Sequence, residues 1–418
     1  MDSIDKLRNV VETARKKSPF YRALYKDVPA HSWQLKDLPV ISQDSFWKAN
    51  VWGPQNKVLT DIPDQGMVFK SGGTSGQAKF SVYSPKEWER FTKDFGKGMR
   101  SSGLQPGDRV ANLFYSGDLY ASFLFINDSL RHSGVPLLNF PLSGNLDPDK
   151  IIDHLQQWDI NVLTGVPASL NLLFERIRER KLSLNLERVF YGGEPMFASQ
   201  KESIRTLVGD IQISSVGHAS VDGGQLGYRD LDCDDGDHKS FLDSTILEIL
   251  DPEHSEPVET AGVTGKLYVT NLTRTLMPVI RYPVGDQACW KDHNKRIYTL
   301  KGRSDEALRV GGMTLRWDEF ESLALRSGFS QLENIQAEIR HIEGKDELTL
   351  AFGSDAESGD DFKSRVLDSL VQMKPEYLCD LEASLIRPVV IKETMLKNLV
   401  RNPRTGKLAR ISDLRPFH

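Results

Sequence analysis

The chain has 418 residues, 39% hydrophobic and 27% charged, with a formal net charge of −5. That is an ordinary globular balance with room for roughly two or three domains; it excludes a disordered chain and offers no electrostatic footprint for nucleic acid. No apolar run approaches membrane-spanning length, the N-terminal Met-Asp-Ser-Ile-Asp-Lys-Leu-Arg lacks the apolar core of a secretion signal, and the cysteines Cys233, Cys289 and Cys379 fit a reducing compartment, so a cytoplasmic location without nucleic-acid or membrane partners is expected.

Residues 1–50 read as polar helix, with Val10, Val11, Ala14, Phe20, Tyr21, Leu24 and Tyr25 at apolar positions. An apolar patch at Met67, Val68 and Phe69 leads into residues 70–79, Lys-Ser-Gly-Gly-Thr-Ser-Gly-Gln-Ala-Lys. Glycine lets backbone N–H groups turn inward at positive φ and form an anion-holding nest. Ser71, Thr74 and Ser75 add hydroxyl donors and Lys79 adds a point charge. Such a loop suits a polyphosphate, although a surface turn is the plain alternative. It is not a Walker loop, because the pattern G-x-x-x-x-G-K-[ST] is absent.

From 110 onward, short apolar runs alternate with amphipathic stretches. Strands are expected at 110–115, 135–140, 161–165 and 188–193, and helices at 119–130, 147–158 and 168–178. Asp147 before Pro148 is an N-cap followed by a first-turn proline, with Ile151, Ile152, Leu155 and Trp158 on one helical face. This rhythm predicts an α/β domain with mostly parallel strands, and ligands in such folds sit beyond the strands' carboxyl ends. Gly165, Gly192, Gly193 and Gly217 are therefore candidate site walls. Runs at 245–250 and 266–270 predict a more β-rich portion. Beyond about 305, helices at 318–325 and 360–373 with strands at 348–352 and 383–390 predict a small α+β domain.

Five further segments follow the glycine loop in a fixed order. They are Tyr-Gly-Gly-Glu-Pro at 191–195, His-Ala-Ser-Val-Asp-Gly-Gly at 218–224, Met-Pro-Val-Ile-Arg-Tyr-Pro-Val-Gly-Asp at 277–286, Gly-Arg-Ser-Asp at 302–305 and Pro-Arg-Thr-Gly-Lys-Leu-Ala-Arg at 403–410. Together they resemble the acyl-adenylate-forming superfamily, specifically its phenylacetate–coenzyme A ligase-like branch. Residues 14–22, Ala-Arg-Lys-Lys-Ser-Pro-Phe-Tyr-Arg, and 38–42, Leu-Pro-Val-Ile-Ser, resemble that branch's N-terminus.

The resemblance implies an α/β fold with a large N-terminal domain, 1–304, of mixed and parallel sheets, flanking helices and a β-rich subdomain. A small mobile α+β domain, 305–418, would carry Lys407. It implies ATP-dependent activation of a carboxylic acid to acyl-AMP with release of pyrophosphate, then acyl transfer to coenzyme A. Transfer to a carrier-protein thiol or to an amine, and a non-catalytic nucleotide-binding protein, are the alternatives. By position, Ser71, Gly72, Gly73, Thr74, Ser75, Gly76 and Lys79 match the loop on the β- and γ-phosphates, and Gly193, Glu194 and Pro195 the turn along the adenine. Asp222 matches the acidic residue of an aromatic-Gly-x-Thr-Glu motif near Mg²⁺ and the α-phosphate; a slip of two would place Ser220 there instead. Asp286 matches the ribose-binding aspartate, Arg303 a second nucleotide contact, Asp305 the hinge and Lys407 the catalytic lysine.

Phe114, Tyr115, Phe123, Tyr191 and His218 border predicted strand ends and suit an aryl or partly apolar acid. Cys233 with His238, and Cys289 with His293, supply the ligand types of a closed Zn²⁺ site; Cys289 as a buried apolar residue is the alternative.

Overall fold

A computed structural model describes residues 2–71, 79–193, 196, 198–230, 233–251, 255–303, 307–310, 313–342, 345–354, 361–382, 386–402 and 406–415. The chain divides into two compact units, one of residues 1–195 with 208–304, the other of 196–207 with 305–418.

The first unit contains a five-stranded sheet in the order Leu138–Phe140, Arg109–Asn112, Val162–Gly165, Arg188–Tyr191 and Gln212–Ser215. All its pairings are parallel, as the β–α rhythm predicts. The central strands Val162–Gly165 and Arg188–Tyr191 are buried along their whole length, as parallel strands covered on both faces are. Asp147 caps the helix Pro148–Gln157 by accepting from the N–H groups of Asp149 and Lys150. Ile151, Ile152 and Leu155 are buried, but Trp158 is not: the helix stops at Gln157, and Trp158 lies past its end against Phe140. The expected helix at 119–130 begins only at Ser122, because Asp118 and Leu119 adopt positive φ.

After Ser215 the chain leaves the parallel sheet and, at His218, enters a seven-stranded antiparallel one. Gly217 makes this passage at φ 119°; a Cβ there would lie 2.8 Å from the Gly227 carbonyl oxygen. The N-terminal helices Ser3–Lys17, Pro19–Leu24 and Gln43–Ala49 pack onto the antiparallel sheet, where Val10, Val11, Tyr21 and Phe46 share a core with Leu267, Val269, Tyr282 and Trp290.

A long helix absent from the sequence expectations, Pro85–Ser101, buries Trp88, Phe91, Phe95 and Met99 on one face and opens with a capping box formed by Ser84 and Glu87. Its buried Glu87 also accepts from the amides of Thr275 at 2.6 Å and Leu276 at 2.8 Å. The second unit holds a four-stranded mixed sheet, ordered Val390–Thr394, Lys345–Gly353, Ile335–Ile342 and Ile411–Asp413. Helices Trp317–Arg326 and Phe362–Met373 pack on it. The strand expected at 383–390 forms instead at Val390–Thr394, and 383–385 lie outside the described residues.

Glu87→Ala removes the acceptor for these part-buried amides. It should lower stability by about 1.5–3 kcal/mol, the range for hydrogen bonds to a charged group. Urea unfolding checks this; a change below about 0.5 kcal/mol, as at an ordinary surface position, would contradict it.

Candidate active site

The glycine loop joins two antiparallel strands, Met67–Ser71 and Lys79–Tyr83, whose register places Ser71 opposite Lys79. Gly72, Gly73, Thr74, Ser75 and Gly76 lie outside the described residues. Side chains alternate along a strand, so Lys79, Ser81 and Tyr83 share one face of the hairpin. That face meets the turn at 218–224. The Tyr83 hydroxyl donates to the Val221 carbonyl at 2.7 Å, and the Ser81 hydroxyl to Asp222 Oδ1 at 3.1 Å. Arg274, 1% exposed, donates from Nη2 to the Val82 carbonyl at 3.0 Å and from Nη1 to the Asp222 carbonyl. Its guanidinium lies 4.0 Å from the centroid of the Tyr83 ring.

Asp222 is thus held from the hairpin side. Its carboxylate is also hydrogen-bonded by the Tyr282 hydroxyl, which accepts from Trp47 Nε1 at 3.0 Å. Burial pushes the Tyr282 phenol far above its ordinary pKa, and the Asp222 charge adds to this. Ser220, the alternative acid position, instead closes the turn: its Oγ accepts from the amides of Asp222 and Gly223, both at 3.2 Å. Lys79 Nζ donates to Gln43 Oε1 at 3.5 Å and lies 5.6 Å from the Trp47 ring centroid, while Gln43 Nε2 donates to the Pro283 carbonyl at 2.7 Å.

Asp286 lies on the strand Tyr282–Asp292, with Arg303 its partner in register on Ile297–Arg303. His218 Nε2 is 3.1 Å from Asp286 Oδ2, and its Nδ1 is 2.9 Å from the Tyr298 hydroxyl. His238 stacks on Tyr298 beside His218. Burial, with a smaller contribution from His218, pushes the His238 imidazole down to about 3.

Around the carboxyl ends of the parallel strands, Phe114 and Tyr191 are buried and Phe123 is half-buried. The Tyr115 hydroxyl is 3.0 Å from Ser169 Oγ. Burial raises the Tyr191 phenol well above its ordinary pKa. Gly193 turns at φ 87°, while Glu194 and Pro195 lie outside the described residues.

No family model matches the chain. Curated relatives do. The phenylacetate-coenzyme A ligase of Thermus thermophilus is 24% identical over 335 residues, covering 77% of this chain and 74% of that protein. The indoleacetate–lysine synthetase of Pseudomonas savastanoi is 26% identical over 346 residues, covering 82% and 80%. Among solved structures, a 2-hydroxyisobutyryl-CoA ligase in the postadenylation state, in complex with 2-HIB-AMP, superposes with a TM-score of 0.72 at 18% identity, over 99% of this chain and 90% of that one. The chain is similar in sequence to ligases of the acyl-adenylate-forming superfamily and shares their fold.

Of the residues that the resemblance to this superfamily picks out, Lys79, Asp222, His218 and Asp286 come together in the first unit, with the Arg303 backbone beside Asp286. Lys407 belongs to the second unit, in a turn where the Asn402 amide donates to the Lys407 carbonyl and Gly406 has φ 69°. Asp305 lies outside the described residues.

The zinc expectation is corrected. Among the described residues, no group of three or more His, Cys, Asp and Glu is placed to hold a metal. His293 Nε2 is taken by Arg296 at 2.8 Å, and His238 Nε2 faces Ser215 Oγ at 3.4 Å. Cys289 is a buried strand residue paired with Thr264 and Thr299. The spacing of these residues reflects a strand and its turn rather than a ligand set.

Sequence reading missed Gln43, Trp47, Ser81, Arg274 and Tyr298. Each joins the site through partners far along the chain, as Trp47 does with Tyr282, and none carries a local motif. Only the alternation of Lys79, Ser81 and Tyr83 was a usable signal.

His238 makes stability depend on pH. The unfolded chain takes up this proton near pH 6.5 and the folded one only near pH 3, so acidification through that window favours unfolding. Between about pH 6.5 and 5, where most carboxylates stay ionised, wild type should lose up to about 1.4 kcal/mol per pH unit relative to His238→Gln. Urea unfolding at several pH values reads the two slopes; parallel slopes would contradict the assignment.

Proposed function

We propose that this chain activates a carboxylic acid with ATP, forming acyl-AMP and pyrophosphate, and then passes the acyl group to coenzyme A. The observation that carries the reading is the docking of the loop-bearing hairpin onto the Asp222 turn, next to the Asp286 strand. One site then offers groups for phosphates at one end and for a ribose at the other. The relatives named for coenzyme A ligation and the fold of a ligase crystallised with an acyl-AMP support it.

A carboxylate attacking ATP brings two anions together, so the protein must neutralise charge and align the attack opposite the departing pyrophosphate. In this reading Ser71, the loop amides and Lys79 receive the β- and γ-phosphates. The Gly193–Pro195 turn lies along the adenine, Asp286 accepts from the ribose hydroxyls and Arg303 contacts the nucleotide. The large unit binds ATP and acid, and the small unit hinges at Asp305 to bring Lys407 to the α-phosphate and the substrate carboxylate. The acid's oxygen bonds to the α-phosphorus as the bond to pyrophosphate breaks. In the second step the thiol sulfur bonds to the acyl carbon and AMP departs.

The donor set fits magnesium, which prefers oxygen: Asp222 would offer a carboxylate, and phosphate oxygens and water would complete the shell. When bound, Mg²⁺ offsets negative charge on the triphosphate. Tyr115 and Tyr191 border the acid's end of the site, favouring an aryl or partly apolar acid, whereas His218, expected there from the sequence, bonds Asp286 at the ribose end.

The acceptor has a second reading. The relative named indoleacetate–lysine synthetase favours an amine in place of coenzyme A, and a carrier-protein thiol would need the same thioester chemistry as coenzyme A. No helix among the described residues is long and apolar enough to cross a membrane, and we place the reaction in the cytoplasm.

ATP–pyrophosphate exchange against a panel of aryl, aliphatic and amino acids tests the reading. Exchange should appear only with an acid present and be strongest with a ring-bearing one; no exchange with any acid would reject it. Coenzyme A or lysine, added in turn, identifies the acceptor. Lys407→Ala should slow exchange by about 10²–10³-fold, the cost of losing one preorganised charge-stabilising group, while ATP affinity stays nearly constant. Equal loss of both would remove Lys407 from its assigned role.

A further inference from the structure

Beside Asp286 stands a relay built from three separate strands. His218 opens His218–Ser220, Asp286 lies on Tyr282–Asp292 and Tyr298 on Ile297–Arg303. The Tyr298 side chain is fully buried. Burial, then the nearby Asp286 charge, holds its phenol far above the ordinary pKa, so the hydroxyl keeps its proton and can donate it. Its partner is His218 Nδ1, at 2.9 Å. A nitrogen that accepts this bond leaves the ring proton on Nε2, which points at Asp286 Oδ2 from 3.1 Å. The phenol thus fixes the tautomer in which the imidazole donates to the carboxylate.

The surroundings are shaped for this arrangement. A Cβ on Gly227 would lie 2.4 Å from the Tyr298 hydroxyl oxygen and 3.1 Å from His238 Cβ, so the phenol reaches its position only because residue 227 has no side chain. His238 packs its ring against both Tyr298 and His218. His218 and Asp286 side chains are 10% and 14% exposed, which leaves the pair at the edge of the buried cluster, within a ligand's reach.

We propose that His218 is a positioning residue for nucleotide recognition, holding the Asp286 carboxylate, through the Tyr298-directed Nε2–H bond, in the orientation that accepts from ribose hydroxyls. The proposal rests on the adenylation reading above and adds a role that the sequence assigned to no residue: His218 there was a wall of the acid pocket. A carboxylate oxygen has two lone pairs, so the bond to His218 steadies Oδ2 without using up the group's capacity to accept. Orientation fixed before binding reduces the entropy lost when the ribose docks.

The test is calorimetric titration of the full chain with ATP and with 2′,3′-dideoxy-ATP, which requires no knowledge of the acid. His218→Leu removes the donor, and His218→Gln places an amide N–H near the position of Nε2. The leucine variant should weaken ATP binding by about tenfold, the loss of one hydrogen bond to a charged group, and leave dideoxy-ATP binding unchanged. The glutamine variant should recover most of the lost affinity. Tyr298→Phe, which keeps the ring and frees the tautomer, should give a smaller loss confined to ATP, and it carries the test if the leucine variant does not fold. Equal weakening of both nucleotides would mean a merely structural role and overturn the proposal. So would a glutamine variant no better than leucine, or unchanged ATP affinity in both His218→Leu and Tyr298→Phe. A wild type that takes up ATP and discriminates against dideoxy-ATP regardless of His218 defeats this inference alone, whereas a wild type that takes up neither nucleotide defeats the adenylation reading with it.

Discussion

A single buried guanidinium holds the candidate site together. Arg274 is 1% exposed, and it spends its hydrogen bonds on the backbone carbonyls of two segments distant in sequence, Val82 on the hairpin and Asp222 on the turn. A buried cation without partners would be strongly destabilising, so the position of Arg274 compels both carbonyls to come to it. The Tyr83 ring beneath the guanidinium adds a cation–π contact and fixes the plane of the fork. Once the hairpin is clamped in this way, Lys79 and Ser81 have no freedom to choose another face. Ser81 meets Asp222, and Lys79 comes to rest against Gln43 and Trp47 of the N-terminal helix.

The clamp sits where the chain passes from the parallel to the antiparallel sheet. A parallel sheet offers a crevice at its carboxyl ends, and an antiparallel sheet can support densely hydrogen-bonded side chains on a rigid face. Gly217 allows the crossing within a few residues, so the Tyr191 and Ser215 strand ends lie close in sequence or register to His218 and its partner Asp286. The polar cluster beyond the crossing is satisfied by its own members, with Tyr282 and Ser81 on Asp222 and His218 on Asp286. Such mutual satisfaction keeps carboxylates oriented in partly buried surroundings, which is what binding a polyanionic nucleotide through its sugar and metal would demand.

What was legible in the sequence was local. The cap at Asp147, the mostly apolar central strands and the β–α rhythm all depend on neighbours within a few residues, and the α/β fold with an added β-rich region follows from them. The helix Pro85–Ser101 escaped notice although its Ser-Pro-Lys-Glu start at 84–87 is a capping signature. Trp158 shows the limit of periodicity: it has the right spacing but stands beyond the last turn. The resemblance named positions in the glycine loop, Asp222 and Asp286, yet nothing local foretold that a tryptophan 235 residues away would bond Tyr282 or that His218 would bond Asp286. The paired Cys and His spacings misled for the complementary reason. Strand pairing set Cys289 opposite Thr299 and His238 opposite Tyr298, and His293 met Arg296 in its turn, which only the three-dimensional arrangement decides.

The clamp and the function stand together in one comparison: calorimetric titration of ATP, with magnesium, into wild type and Arg274→Lys. Lysine keeps the charge but cannot bridge two carbonyls while lying flat on Tyr83. The account predicts one ATP site in wild type and at least about tenfold weaker binding in a folded Arg274→Lys protein, the equivalent of about 1.4 kcal/mol. Equal ATP affinity in the two proteins, or none in the wild type, would contradict it.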